Sequence, residues 1–93
     1  MIRVRVHYRA QARVAAGVAE EEITLDGACA PADLIVRIAS AHGDGLRRLL
    51  LDGNGQPHST VLLFIGGEQA SVNALQPLKD GDVVEILTPM SGG

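Results

Sequence analysis

Ile2, Val4, Val6 and Tyr8 alternate with Arg3, Arg5, His7 and Arg9 at the start of the chain. That is the period-two pattern of a strand with one buried face and one wet face. After a stretch of small residues from Gln11 to Ala19, which fits a turn or a short helix, Glu20-Glu21-Glu22-Ile23-Thr24-Leu25 reads as a second, edge strand closed by Asp26-Gly27. The two strands together predict a hairpin. Pro31 suits the first position of a helix, and Asp33 puts a carboxylate in its first turn, where the helix dipole favours it. Leu34, Ile35, Ile38 and Ala39 then share one face with Arg37 opposite, and Gly43 is placed to end the helix.

Residues 43–59 are the least regular part of the pattern. Leu46, Leu49 and Leu50 beside Arg47 and Arg48 fit a short amphipathic turn of helix, and Asp52-Gly53-Asn54-Gly55-Gln56-Pro57 is dense in breakers and reads as a loop. Val61 to Ile65 is a continuous apolar run of strand type, Gly66-Gly67 a turn, and Glu68 to Val72 a weak return strand. Asp80-Gly81 is a strong turn signal before a last strand from Val83, and Pro89 cannot donate to a sheet ladder, so regular structure is expected to stop there. Two strands, a helix and two or three further strands make an α+β pattern: one mixed sheet of four to five strands packed on one main helix. A single domain is expected over residues 1–93, with a flexible tail from about residue 89.

Composition narrows this further. Ninety-three residues are one small domain, and 46% hydrophobic content with 20% charge is ordinary for a globular chain. Tyr8 and Phe64 are the only aromatic residues, so the core is expected to be aliphatic. No apolar run is long enough to span a bilayer, and Met1-Ile2-Arg3-Val4-Arg5 does not resemble a signal-peptide core, so a cytoplasmic protein with no membrane association is expected. Cys29 is alone, which excludes an internal disulfide, a Cys-x-x-Cys redox pair and a cysteine-held metal cluster. A net charge of −3 and the lack of stacking aromatics argue against a nucleic-acid partner. There is no phosphate-binding glycine loop and no order suggesting a catalytic triad. His7, His42 and His58 are scattered without metal-ligand spacing, so neither a bound metal nor a bound cofactor is expected.

The end of the sequence carries the most specific signal. Leu78-Lys79-Asp80-Gly81-Asp82-Val83-Val84-Glu85-Ile86-Leu87-Thr88-Pro89-Met90-Ser91-Gly92-Gly93 resembles the C-terminal signature of the MoaD/ThiS family of ubiquitin-like sulfur carriers: a leucine, an Asp-Gly-Asp turn, a strand, a proline-containing segment and Gly-Gly. Phe64-Ile65-Gly66-Gly67-Glu68 is similar to that family's preceding strand and turn, where asparagine is common at the position of Gly66. Tyr8 to Arg13 resembles its usual text after strand one. The likeness runs through nearly the whole chain, and its specific part is the C-terminal one.

The resemblance implies a β-grasp fold whose working group is a carboxylate. In that family an E1-like adenylating and sulfur-transferase enzyme spends ATP to make an acyl-adenylate at the C-terminus, and a sulfur donor converts it to a thiocarboxylate. The carrier is itself no enzyme but the substrate or small subunit of its partners. Gly93 is then the reacting residue, Gly92 gives clearance, and Pro89, Met90 and Ser91 set the direction of exit. About 17 Å separates Pro89 from Gly93 when extended, and the last two residues have no side chain to obstruct a narrow channel. Parallel pairing of the first and last strands, expected for this fold, puts Glu85 on the open face near Arg3, Arg5 and His7, where a cross-strand charge pair is the simplest reading. It also turns Val84 and Ile86 to the helix, and leaves Val83 and Leu87 outward as the expected contacts for a partner. Cys29, among Ala28, Ala30 and Pro31, reads as a small packing residue and stays outside the mechanism.

Three functions remain open at the level of sequence. A sulfur carrier is the first, monomeric when free. A ubiquitin-like modifier joined through Gly93 to lysines on targets is the second; Lys79 is the only lysine here, which limits chain building and favours a carrier. A plain binding module with an idle tail is the third. Within the carrier reading, Met90-Ser91-Gly92-Gly93 looks most like the molybdopterin synthase small subunit, whose acceptor is the large catalytic subunit. The loop from Leu46 to Ser59 is similar to carriers that supply a cysteine synthase. Related carriers serve thiamine, modified tRNA and secondary metabolites.

Overall fold

The computed structural model describes residues 1–88. Five strands form one sheet in the order β2-β1-β5-β3-β4, with β1 Ile2–Arg9, β2 Glu20–Leu25, β3 Leu62–Ile65, β4 Glu68–Ala70 and β5 Val83–Thr88. Only the β1–β5 pair is parallel; β1–β2, β3–β4 and β3–β5 are antiparallel. The long helix α2, Pro31–His42, and two seven-residue helices, α1 Ala10–Ala16 and α3 Asp44–Leu50, complete the described elements. This is the expected mixed sheet on one main helix. Two details differ from the sequence reading: the return strand stops at Ala70, with Val72 instead packed against the core, and Leu46 to Leu50 belong to a complete short helix that starts directly after Gly43.

The alternation along β1 works as read. Val4, Val6 and Tyr8 are buried under α2, whose Leu34, Ile35, Ile38 and Ala39 meet them together with Leu63, Val84 and Ile86 from the other strands. Leu46 and Leu50 of α3 and Ala12 of α1 close the sides of an otherwise aliphatic core. Gly66 and Gly67 both have positive φ, 61° and 85°, the conformation of a two-residue hairpin turn matched to strand twist. Glycine, or asparagine at the first position, meets that demand at low cost.

One polar cluster sits inside this layer. Tyr8 donates its hydroxyl hydrogen to Glu21 Oε2 at 2.5 Å, and His42 Nε2 meets the same oxygen, joining β1, β2 and the end of α2. Glu21 pairs with Val6 in the ladder and so shares its helix-facing parity, unlike Glu20 and Glu22. Burial, then the hydrogen bond and charge of Glu21, pushes the Tyr8 phenol far above the usual tyrosine range. An acid whose folded-state value is raised contributes stability that is intact below its unfolded value, about 10, and is lost as pH rises beyond it. Tyr8 is the only tyrosine and there is no tryptophan, so tyrosinate absorbance reports on it alone. In an alkaline titration that absorbance is expected to appear together with the loss of far-ultraviolet circular dichroism. Ionisation at about pH 10 with the fold intact contradicts the cluster.

Candidate functional site

The Asp80-Gly81-Asp82 turn determines where the last strand begins. Asp80 Oδ1 accepts the Arg3 N–H at 2.8 Å, the Gly81 N–H donates to the Arg3 carbonyl at 2.8 Å, and Arg5 N–H donates to the Asp82 carbonyl at 3.0 Å. Asp82 Oδ2 in turn accepts the Lys79 N–H at 2.8 Å, closing the turn on itself. Gly81 at φ 88° takes the left-handed conformation that a side chain resists. Each residue of the motif therefore has a structural task. Together they pin the start of β5 to the start of β1, and the parallel register follows: Arg5 opposite Val83, His7 opposite Glu85, Arg9 opposite Leu87.

A register fixed at one end fixes the exit at the other. A bridge between Ala10 and Thr88 extends the parallel pairing to the last described residue, which is 2% exposed. Pro89, Met90, Ser91, Gly92 and Gly93, the expected working residues, lie outside the described residues; what is described is their root.

From that root an apolar patch runs back along the open face of the sheet toward Val83 at the start of β5. Val83 is 40% exposed and Leu87 half-buried, with Val84 and Ile86 fully buried beneath, as the parity predicted. Across the ladder Leu62 pairs with Leu87 and Phe64 with Glu85, so Leu62 and Phe64 share this face with Val83 and Leu87. The sequence reading missed these two because Val61 to Ile65 is apolar at every position, which hides the alternation. Their opposite number Leu63 is buried, and its pairing with the helix-facing Ile86 reveals the parity.

The charges on this face arrange themselves differently from expectation. Glu85 stands opposite His7, yet its ion pair is with Arg9, Nε to Oε2 3.7 Å; Arg5 and His7 turn to the other neighbour, with Arg5 3.2 Å from Glu20 and 3.8 Å from Glu22, and His7 3.4 Å from Glu20. β1 lies between β2 and β5, and the glutamate-rich β2 supplies more acceptors. Such exposed pairs each contribute at most about 1 kcal/mol. Cys29 is half-buried, and burial, then the Asp33 carboxylate, raises its thiol above the ordinary value with Arg37 offsetting in part, the opposite of activation. No group of three His, Cys, Asp or Glu side chains among the described residues is placed to hold a metal ion. No helix among them is long and apolar enough to cross a membrane.

A five-stranded mixed sheet crossed by one main helix, with the first and last strands parallel at its centre, is the ubiquitin-like β-grasp fold. Known structures share it: small archaeal modifier protein 1 (SAMP1) from Haloferax volcanii superposes with a TM-score of 0.82 at 21% identity, covering 98% of this chain and 99% of that one. A structure described as putative molybdopterin converting factor, subunit 1, from Pyrococcus furiosus is 31% identical with a TM-score of 0.75, covering 97% and 100%. The molybdopterin synthase sulfur carrier subunit of Chlamydomonas reinhardtii is 30% identical over 92 residues, 99% of this chain and 100% of that protein. Residues 6–93 match the ThiS family as a whole. The chain belongs to the ThiS family of ubiquitin-like sulfur carriers.

Proposed function

We propose that this protein carries sulfur as a thiocarboxylate on Gly93. A partner enzyme binds ATP and joins the Gly93 carboxylate to AMP with release of pyrophosphate; a sulfur nucleophile then displaces AMP at the carbonyl. A carboxylate is a poor electrophile, and adenylation supplies the leaving group it lacks. On this reading ATP and the activating groups belong to the partner. The share of this chain is delivery: a core that holds the root still, and a tail that reaches about 17 Å with no side chain on its last two residues.

The observation that carries this reading is the coupling of turn to exit. The Asp80-Gly81-Asp82 hydrogen bonds set the β1–β5 register, and that register ends β5 at Leu87 and the buried Thr88, with Leu87 at the end of the open-face apolar patch that Leu62, Phe64 and Val83 continue. A protein that takes the tail meets the patch in the same approach. The likeness to the Chlamydomonas reinhardtii subunit supports the molybdopterin branch, with a synthase large subunit as acceptor.

The test is pyrophosphate release by a cognate adenylating enzyme with ATP, which is expected to depend on this chain and to stop when Gly92-Gly93 is deleted. Release that is indifferent to the deletion contradicts the proposal. Leu87→Glu and Phe64→Glu, each placing a charge in the patch, are expected to raise the KM for the chain by about tenfold. A KM unchanged in both variants removes the patch from the interface.

A further inference from the structure

β5 loses both of its neighbours at the same place. On one side β1 ends at Arg9, and Ala10 makes a last bridge to Thr88 as the chain turns into α1. On the other side β3 begins at Leu62, opposite Leu87, and Val61 before it gives its N–H to the His58 carbonyl at 3.1 Å. Thr88 is therefore the last described residue that the sheet holds.

Two local costs meet at this bridge. Ala10 has φ 53°, in the left-handed region that a Cβ disfavours, and it is the only residue other than glycine at positive φ among the described residues. Thr88 carries the second. Its side chain has the parity of Val84 and Ile86, so it points into the helix layer, where α1 packs against β5, and the residue is 2% exposed. Its Oγ1 is the only buried side-chain oxygen or nitrogen among the described residues that has no hydrogen-bond partner there. A buried hydroxyl without a partner is destabilising, and valine, with the same branched shape, would avoid it. Local costs that a fold tolerates gather where the chain does its work.

Covalent structure fixes the nearest donor that the hydroxyl could meet. Pro89 has no N–H, so the first backbone donor after Thr88 is that of Met90. A threonine hydroxyl can accept from the amide two residues on in a side-chain turn.

We propose that Thr88 is a positioning residue for the reaction at Gly93. When the adenylating enzyme takes the tail, the Thr88 hydroxyl accepts the Met90 N–H and gives the chain one direction of departure from β5, so that the Gly93 carboxylate meets ATP in attack geometry. This rests on the proposed function and deepens it. The patch carries docking, and the hydroxyl narrows the orientations from which a docked tail reacts, so its effect falls on the rate of the bound complex and not on affinity.

The experiment is a single turnover of pyrophosphate release from the full chain and ATP, with the cognate adenylating enzyme in excess and its concentration varied, alongside the urea midpoint of each variant. Thr88→Val keeps the shape and removes the hydroxyl. Its midpoint is expected to equal or exceed that of the wild type, while its maximal rate falls at least about fivefold with half-saturation within about twofold. Thr88→Ser, which keeps the hydroxyl, is expected to stay within about twofold of the wild-type rate. In a Met90→Pro background, where the amide donor is gone, Thr88→Val is expected to lower the rate no further. A reduced midpoint in Thr88→Val means that the hydroxyl already has a partner within the fold, and overturns the proposal. A wild-type maximal rate in Thr88→Val overturns it too, as does a full second loss in the Met90→Pro background. In all three cases the wild-type chain is still adenylated and the proposed function stands. If the wild-type chain is not adenylated, the proposed function falls and Thr88 has no reaction to position.

Discussion

Gly93→Ala is expected to lower the rate of carboxylate activation by at least about a hundredfold, without changing the urea midpoint of the protein. The methyl group of alanine sits on the carbon bonded to the reacting carboxylate, where a displacement of about 1 Å from the attack geometry costs that much in rate. It also adds width to the end of a tail whose last two residues have none. The core and every described hydrogen bond lie before Pro89, so the fold is expected to survive the substitution. Binding is expected to persist, since the patch and the root are untouched: the variant competes with wild type for the adenylating enzyme while yielding no thiocarboxylate. An alanine variant activated at the wild-type rate contradicts a reacting residue at 93.

Leu34→Ala is expected to destabilise the fold by about 2–5 kcal/mol. Leu34 is fully buried on α2, in one core cluster with Val4 and Val6 of β1 and Ile35 and Ile38 of its own helix, all of them held in the ladder or the helix. Against a total of about 5–15 kcal/mol for a domain, that is a large share of the stability. Equilibrium urea unfolding measures it, with Val36→Ala as the internal comparison. Val36 is 36% exposed on the same helix, and its truncation is expected to cost within about 0.5 kcal/mol. A Leu34→Ala midpoint equal to that of Val36→Ala contradicts the packing of α2 as the centre of the core. On the proposed function the tail is delivered from a folded root, so the same variant is expected to lose carrier activity at temperatures where it has unfolded.

The parts of this structure that were legible in the sequence are those where one physical rule acts alone. Alternation in β1 and the apolar stripe of α2 each answer to burial of a single face, and Asp80-Gly81 and Gly66-Gly67 to turn geometry, so those elements were read correctly. Helix α1 was harder. Ala10 to Ala16 begins with Ala10 in the left-handed region at φ 53° and without a side-chain cap, and the helix is held by its contacts with α3, β1 and β5. Helix α3 follows Gly43 at once and contains Gly45, so two breaker signals stand in front of the tertiary contacts that form it. Glu21 is one of three consecutive glutamates in an expected edge strand, and only its pairing with Val6 turns it toward Tyr8 and His42. For the candidate site, Val83 and Leu87 followed from strand parity, while Leu62 and Phe64 needed the register of β3 against β5.

The most direct measurement is the intact mass of this protein after incubation with a cognate adenylating enzyme, ATP and a sulfur donor. The carrier reading predicts an increase equal to one sulfur in place of one oxygen, confined to the C-terminal peptide and absent in Gly93→Ala. An unchanged mass, with Gly93 found instead in an isopeptide bond to a lysine of another protein, contradicts it in favour of a protein modifier; an unchanged mass with no adduct at all contradicts any role for the tail.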